Sequence, residues 1–151
     1  MVALSLAIAG LVVVIDQVIK YFVAMYLPQA GVVTAIPHLL DLNYVENRGV
    51  AFDIFVVLSS DIIVIRLHKN IKKKIKSKMF LISSALIIGG GIGNLIDRVL
   101  YGYVIDYLQL SFFSPVCNFA DYAVTVGTVL LVIYLLFMSD SSKTENKVEH
   151  S

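Results

Sequence analysis

Cysteine, histidine and charge are all scarce in this 151-residue chain. A single cysteine, Cys117, rules out any intrachain disulfide framework. The three histidines, His38, His68 and His150, stand far apart, and none has a second His or Cys at metal-ligand spacing, which argues against a zinc site. Charged residues make up only 15% of the chain and hydrophobic ones 58%, against roughly 25% and 45–50% in soluble domains. That balance excludes an ordinary soluble domain and makes this a membrane protein. Several catalytic signatures are missing as well. There is no H-E-x-x-H for a metalloprotease, no G-x-S-G serine elbow, and no Asp-Thr-Gly or Asp-Ser-Gly. "GIG" (91–93) is followed by Asn94 where a Gly-x-Gly-Asp protease needs aspartate.

The charge that is present is unevenly spread. The formal net charge is +1, yet seven of the twelve Lys and Arg (Arg66, Lys69, Lys72, Lys73, Lys74, Lys76, Lys78) crowd into "RLHKNIKKKIKSK". Such a run suits nucleic acid or anionic lipid. Between two apolar spans it reads instead as a cytoplasmic loop obeying the positive-inside bias, and no nucleic-acid partner is expected.

A bilayer needs about 20 mostly apolar residues per helix. The chain offers four candidates, at about 4–27, 50–67, 79–96 and 119–138. The first, ended by Pro28, lacks the basic start and small-residue cleavage site of a signal peptide and carries Asp16, Gln17 and Lys20, so it reads as a retained helix. The second is weak. Its apolar run is short, it contains Asp61, and 18 residues cover roughly 27 Å as helix. With the basic loop inside, four spans put both termini in the cytoplasm and leave 28–53 and 97–118 outside. The stretch "VVTAIPHLLDLNYVENRGVAF" alternates β-branched residues and predicts short strands at the outer surface. The fold class expected is an all-α membrane protein, a four-helix domain over 1–138 with a small strand-rich extracytoplasmic loop. A polar, disordered cytoplasmic tail follows over 139–151.

Ionisable residues inside a span cost roughly 2.5–3.5 kcal/mol each on insertion scales, so each one is a candidate functional group. Asp16 and Lys20, at i and i+4, share a helix face and either neutralise one another or serve a site directly. Asn94, Asp97 and Arg98 share a face at the outer end of the third span. Gly89, Gly90, Gly91 and Gly93 before them fit neither a P-loop nor a dinucleotide fingerprint, and read as a surface for close helix packing. Asp106 and Asp121, fifteen residues apart, fall at the same membrane surface. Two adjacent carboxylates share a proton, so such a pair can activate a water and protonate a leaving amine. The plainer alternative is a helix-capping Asp121 and a solvated loop residue Asp106.

Four stretches, in order, resemble the boxes of bacterial signal peptidase II, the lipoprotein signal peptidase. "DQVIK" (16–20) is similar to D-Q-x-x-K and "NRGVAF" (47–52) to N-x-G-x-A-F. "GNLIDRVLYGYVIDY" (93–107) is similar to G-N-x-x-D-R-x-x-x-G-x-V-x-D-F, with Tyr107 in place of Phe, and "NFAD" (118–121) to N-x-A-D. The resemblance implies a four-helix aspartyl endopeptidase of the bacterial cytoplasmic membrane, without metal or cofactor, its site near the outer surface. Its substrates are prolipoproteins, cut just before a diacylglyceryl-modified cysteine, and globomycin-type peptides are its expected inhibitors. Carried over by motif, Asp106 and Asp121 are the catalytic pair. Asn47, Gly49, Asn94, Arg98, Asn118 and Ala120 line or shape the site, and Asp16, Lys20 and Asp97 support it. The chain departs from the pattern in its short, polar second span, with Asp53 and Asp61, and in Cys117, where the family often has Phe. A rival reading, an ion-coupled transporter using Asp16, Lys20 and Asp61, explains the intramembrane charges but not the boxes. A non-catalytic membrane subunit is the third.

Overall fold

The computed structural model describes residues 2–49 and 77–148. Three helices there are long and apolar enough to cross a membrane: α1 (Val2–Ala30), α2 (Lys78–Tyr101) and α3 (Phe119–Val148), the last apolar through Leu136. Four strands complete the described fold: β1 (Val33–Ile36), β2 (Leu40–Asn47), β3 (Val104–Leu110) and β4 (Val116–Cys117), hydrogen-bonded in that order with every pair antiparallel. The expected membrane helices and strand-rich loop are both present, and because β3 and β4 join the strands of that loop the fold is a helical bundle carrying a small antiparallel sheet and not all-α. The expected second span, 50–67, and the basic loop up to Lys76 lie outside the described residues.

Each helix runs further than its apolar stretch suggests. Pro28 does not stop α1. Its missing N–H and ring clash matter one turn upstream, and the helix closes instead at Gly31, φ 69°, whose N–H donates to the Leu27 carbonyl at 3.1 Å. A left-handed glycine of the same kind, Gly102 (φ 77°), ends α2 by donating to Arg98 O at 3.1 Å. Asp97 and Arg98 consequently belong to the helix and not to the loop after it. Beyond 138, where the disordered tail was expected to begin, helix α3 continues to Val148; no Gly or Pro interrupts those residues.

The helices are apolar outside and polar within. Large hydrophobic side chains such as Leu6, Leu11, Val18, Ile88, Val99 and Leu136 are exposed, while the most deeply buried side chains include Asp16, Lys20, Asn94, Asp97, Asp106 and Asn118. A bilayer inverts the usual rule because lipid is as apolar as any core, so polar groups must find partners inside the protein. The apolar cluster Phe80, Ile87, Leu131 and Tyr134 seals α2 against α3 at the end away from the sheet. Small residues allow the closest approaches. A Cβ on Gly89 would lie 2.8 Å from Ala9 O of α1, and one on Gly90 would lie 2.5 Å from Ala120 O of α3. The glycines thus let α2 sit hard against both neighbours at once.

The sheet stands where α1 and α2 end and α3 begins. Since α1 and α2 both run toward it, Gly49 and Ser77 lie at opposite ends of the bundle. Between β1 and β2, Pro37 and the left-handed His38 (φ 62°) make a tight turn. The β2–β3 ladder pairs Leu42 with Leu108 but Val45 with Asp106, so β2 carries one extra residue, a bulge at Asn43–Tyr44. Because side chains alternate along a strand, that single residue decides which of them share the Asp106 face. With the bulge, Val45 lies opposite Asp106 and Asn47 opposite Val104, so Asn47 joins that face.

Candidate active site

The site begins with one stripe of α1. Val12, Asp16 and Lys20, four residues apart, are its buried line toward α2. The Lys20 ammonium lies 2.9 Å from Asp16 Oδ2 and 2.9 Å from Asp97 Oδ2, and donates to Asn94 Oδ1 at 2.8 Å. All four side chains are 2% exposed or less. An ammonium has three N–H donors, and these three acceptors match them. Gly93 permits the meeting: a Cβ there would fall 2.6 Å from Asp16 Oδ2.

Every acceptor of Lys20 fastens something else. The other oxygen of Asp16 accepts from the Ala120 N–H of α3 at 3.1 Å. Asp97 Oδ2 also accepts from the Ile105 N–H at 3.1 Å, which secures β3 at the residue before Asp106. Asn94 Nδ2 donates to Asp121 Oδ1 at 2.8 Å. A buried cation in α1 thus braces both stretches that carry the two candidate carboxylates.

Asparagine amides complete the construction. Asn118 begins α3: its backbone N–H donates to Asp121 Oδ2 at 2.9 Å, and its Oδ1 accepts from the Asp121 N–H at 3.0 Å, a reciprocal capping arrangement. With Oδ1 so engaged, Nδ2 points the other way, to Asp106 Oδ1 at 2.6 Å and Asn94 Oδ1 at 3.1 Å. Asn47 is oriented by the same logic. Its Oδ1 accepts from the Gly49 N–H at 2.9 Å, leaving Nδ2 to donate to Asp106 Oδ2 at 2.9 Å. Arg98 Nη2 reaches Gly49 O at 3.3 Å and ties the segment after β2 to α2. The Asp106 and Asp121 carboxylates therefore meet on a single residue, Asn118, the first through its side-chain amide and the second through its backbone N–H, with both oxygens of each accepting N–H donors.

Burial pushes the Asp106 carboxyl up to about 6. The Asn47 amide pulls the other way, the Asp121 charge adds to the rise, and the Asn118 amide and Lys20 oppose it. Asp106 therefore keeps its proton well above the usual carboxylate range. Tyr107, the next residue, is 4% exposed, and its hydroxyl accepts from the Phe119 N–H at 3.3 Å; burial raises its pKa too. One carboxyl holding a proton beside a second carboxylate is the arrangement acid–base hydrolysis of an amide requires.

All eleven residues singled out in the sequence converge here: Asp106, Asp121, Asn47, Gly49, Asn94, Arg98, Asn118, Ala120, Asp16, Lys20 and Asp97. Asp106 is not the solvated loop residue of the plainer reading; it lies in a strand and is 2% exposed. Asp97 and Arg98, expected on one helix face with Asn94, work on different partners, Asp97 on Lys20 and the Ile105 N–H and Arg98 on Gly49 O. Ala120 contributes its backbone and its smallness, being fully buried with its carbonyl against Gly90. Gln17, to which the motif gives no role, also belongs to this cluster. Its Nε2 donates to Asp97 Oδ1 at 2.9 Å and Gly93 O at 3.1 Å; an amide in an apolar span next to Asp16 was the available signal. The bulge in β2 had none. Among the described residues, no group of three or more His, Cys, Asp or Glu is placed to hold a metal ion.

Comparison with known proteins finds relatives over most of the chain. A profile of the Signal peptidase (SPase) II family matches residues 8–137. A lipoprotein signal peptidase of Caldanaerobacter subterraneus subsp. tengcongensis is 37% identical over 141 residues, covering 89% of this chain and 97% of its own. One from Streptococcus thermophilus is 41% identical over 142 residues, covering 89% and 92%. A bacterial membrane enzyme solved in meso at 2.3 Å resolution superposes with a TM-score of 0.72 at 32% identity, covering 92% of this chain and 91% of that one. By sequence over nearly its whole length, and by fold, this chain belongs to the signal peptidase II family.

Proposed function

We propose that this protein is an aspartyl endopeptidase that removes signal peptides from diacylglyceryl-modified bacterial prolipoproteins, cutting before the lipidated cysteine. The observation that carries the reading is the meeting of the Asp106 and Asp121 carboxylates, from a strand and a helix, on Asn118, whose side-chain amide donates to the first and whose backbone N–H donates to the second. In the reaction, Asp121 takes a proton from water as the water oxygen bonds to the scissile carbonyl carbon. Asp106 gives its proton to the carbonyl oxygen. The tetrahedral species then collapses: the C–N bond breaks, the oxygen returns its proton to the pair, and the amine leaves with a proton from Asp121. No metal or cofactor takes part. Asn94 and Asn118 hold Asp121, Asn47 and Asn118 hold Asp106, and Lys20 with Asp16 and Asp97 keeps the supporting elements in register.

The enzyme lies in the bacterial cytoplasmic membrane with four spans, both termini inside and the sheet outside. The opposite placement of Gly49 and Ser77 supports a fourth span, for which 50–67 is the apolar stretch available. A site at the sheet end puts the carboxylates at the depth where water and a membrane-held acyl chain meet. Globomycin-type peptides inhibit by occupying this site. The transporter reading has less support, because Asp16 and Lys20 are sealed against Asp97, Asn94 and the Ala120 N–H.

A gel-shift assay with a diacylglyceryl prolipoprotein tests the chemistry. Asp106→Asn and Asp121→Asn each abolish cleavage while the protein stays folded; full activity in either variant refutes the pair. A reporter fused near Lys74 reads cytoplasmic, and a periplasmic signal overturns the topology.

A further inference from the structure

The sheet has two unlike ends. Asn47 and Val104 pair at one, beside the site, and Leu40 and Leu110 pair at the other. Beyond that second end lie both hairpin turns, Pro37–Leu39 and Ser111–Pro115, joined by the Ser111 N–H donating to Leu39 O at 3.1 Å. His38 apart, the large side chains of these turns and of the adjoining end of β1 are apolar and uncovered: Ile36, Leu39, Phe113 and above all Phe112, which is 76% exposed. Two strands of the site-bearing ladder thus end in an apolar tip roughly 13 Å from Asp106, four residues at ~3.3 Å each.

A tip of this kind standing in water would be unusual, since exposed sheet faces and turns ordinarily carry polar or charged groups. Here there are none with a formal charge. From Tyr21 to Leu40, through the end of α1, Gly31 and β1, no Asp, Glu, Lys or Arg occurs, and none occurs from Tyr107 to Ala120. Exposed apolar side chains follow that same path, Tyr21, Phe22, Met25 and Tyr26 on α1, then Val32, Val33 and Ile36. The lipid-facing surface of the first span therefore continues without a charged break onto the sheet. Both hairpins are also tied to membrane-crossing helices, β1 two residues beyond Gly31 and β4 directly before Asn118.

We propose that the Ile36–Leu39 and Phe112–Phe113 turns insert into the outer leaflet and anchor the free end of the sheet at the lipid interface. Phenylalanine and branched aliphatic side chains suit that depth, and the absence of charge allows the turns to enter it. The anchor is a statement about lipid and stands whether or not the peptidase reading does. Its consequence for catalysis rests on that reading: a sheet pinned at both ends holds Asn47 and Asp106 at a fixed height above the acyl chains, where a lipid-linked cysteine presents its peptide bond.

The chain has no tryptophan, so Phe112→Trp gives a single-tryptophan reporter at the tip. The full chain is reconstituted in vesicles of phosphatidylcholine and phosphatidylglycerol, with the phosphatidylcholine brominated at defined acyl positions. Indole emission shifts to the blue relative to free tryptophan in buffer, is quenched most by bromine near the headgroup end, and is shielded from aqueous iodide. Water-like emission with full iodide quenching and no bromine quenching overturns the anchor. In the same vesicles, Phe112→Ser/Phe113→Ser raises KM for diacylglyceryl prolipoprotein several-fold with kcat little changed. Unaltered KM removes the catalytic consequence, and lipid quenching of the Phe112→Trp reporter decides the anchor independently of any cleavage.

Discussion

Replacing Lys20 by Met tests the buried charge cluster most directly. The two side chains are similar in length and apolar volume, so the change removes the ammonium with little loss of packing. What it leaves is the problem. Asp16 and Asp97, 0% and 1% exposed, each lose an ion pair of 2.9 Å, and Asn94 Oδ1 loses a donor at 2.8 Å. Removing one partner of a buried pair costs roughly 3–5 kcal/mol, chiefly because the remaining charge is stranded. With two carboxylates stranded on one cation, Lys20→Met belongs at the upper end, about 5 kcal/mol. The Gln17 amide on Asp97 and the Ala120 N–H on Asp16 stay in place and keep the loss from being larger. Reversible unfolding of the purified protein in mixed micelles, followed by circular dichroism, measures the difference. A second variant sharpens it: Lys20→Met/Asp97→Asn strands one carboxylate where the single change strands two, so the double variant is the more stable by about 1–3 kcal/mol. A loss under about 1 kcal/mol for Lys20→Met, or a double variant less stable than the single, refutes the view that Lys20 braces the site by charge.

Three further outcomes follow from the geometry. Gly90→Val puts a branched side chain where a Cβ already lies 2.5 Å from Ala120 O and 2.8 Å from Val124 Cγ2; overpacking of this kind costs about 1–3 kcal/mol, read as a lower melting temperature together with lost cleavage. Asn118→Ala removes the amide that donates to Asp106 at 2.6 Å and caps α3; cleavage falls at least ~100-fold, the scale of a misplaced catalytic group, while stability falls by about 1 kcal/mol, the worth of a cap. The Asp106 carboxyl, raised from 3.8 to about 6, holds its proton longer in the folded state than in the unfolded one. Its contribution to stability is therefore fully present below pH 3.8 and is lost as pH rises through about 6. Unfolding titrations across that window show stability declining for the parent protein and a flatter profile for Asp106→Asn.

Much of this protein was written along the chain. Apolar runs of about 20 residues identify membrane helices because each span must satisfy its backbone within itself. The i, i+4 spacing of Asp16 and Lys20 identifies their pairing because helix geometry is local. The boxes around Asn47, Asn94, Asp106 and Asn118 named the residues of the site and the family they resemble. Three features lay beyond that reach. The ends of α1 and α2 are set by left-handed glycines four and six residues past the apolar stretch, which hydropathy does not register. Strand β3 reads as loop in the sequence because its partner, β2, is supplied from 59 residues away in the Asn47–Asp106 contact. The bulge at Asn43–Tyr44, which turns Asn47 toward Asp106, has no counterpart in composition at all.

The sequence by itself determined that the chain lives in a membrane, which side chains are too costly to bury idly, and which two carboxylates to suspect. Only the tertiary structure decided who holds whom. Lys20 takes Asp97 as well as Asp16, and Asp16 reaches the Ala120 N–H across 104 residues. Those partnerships exist because Gly89, Gly90 and Gly93 let three helices approach closely enough for short polar side chains to touch. The energy of a charge or an amide in a bilayer depends on the distance to its partner, and that distance belongs to the packing of the whole bundle.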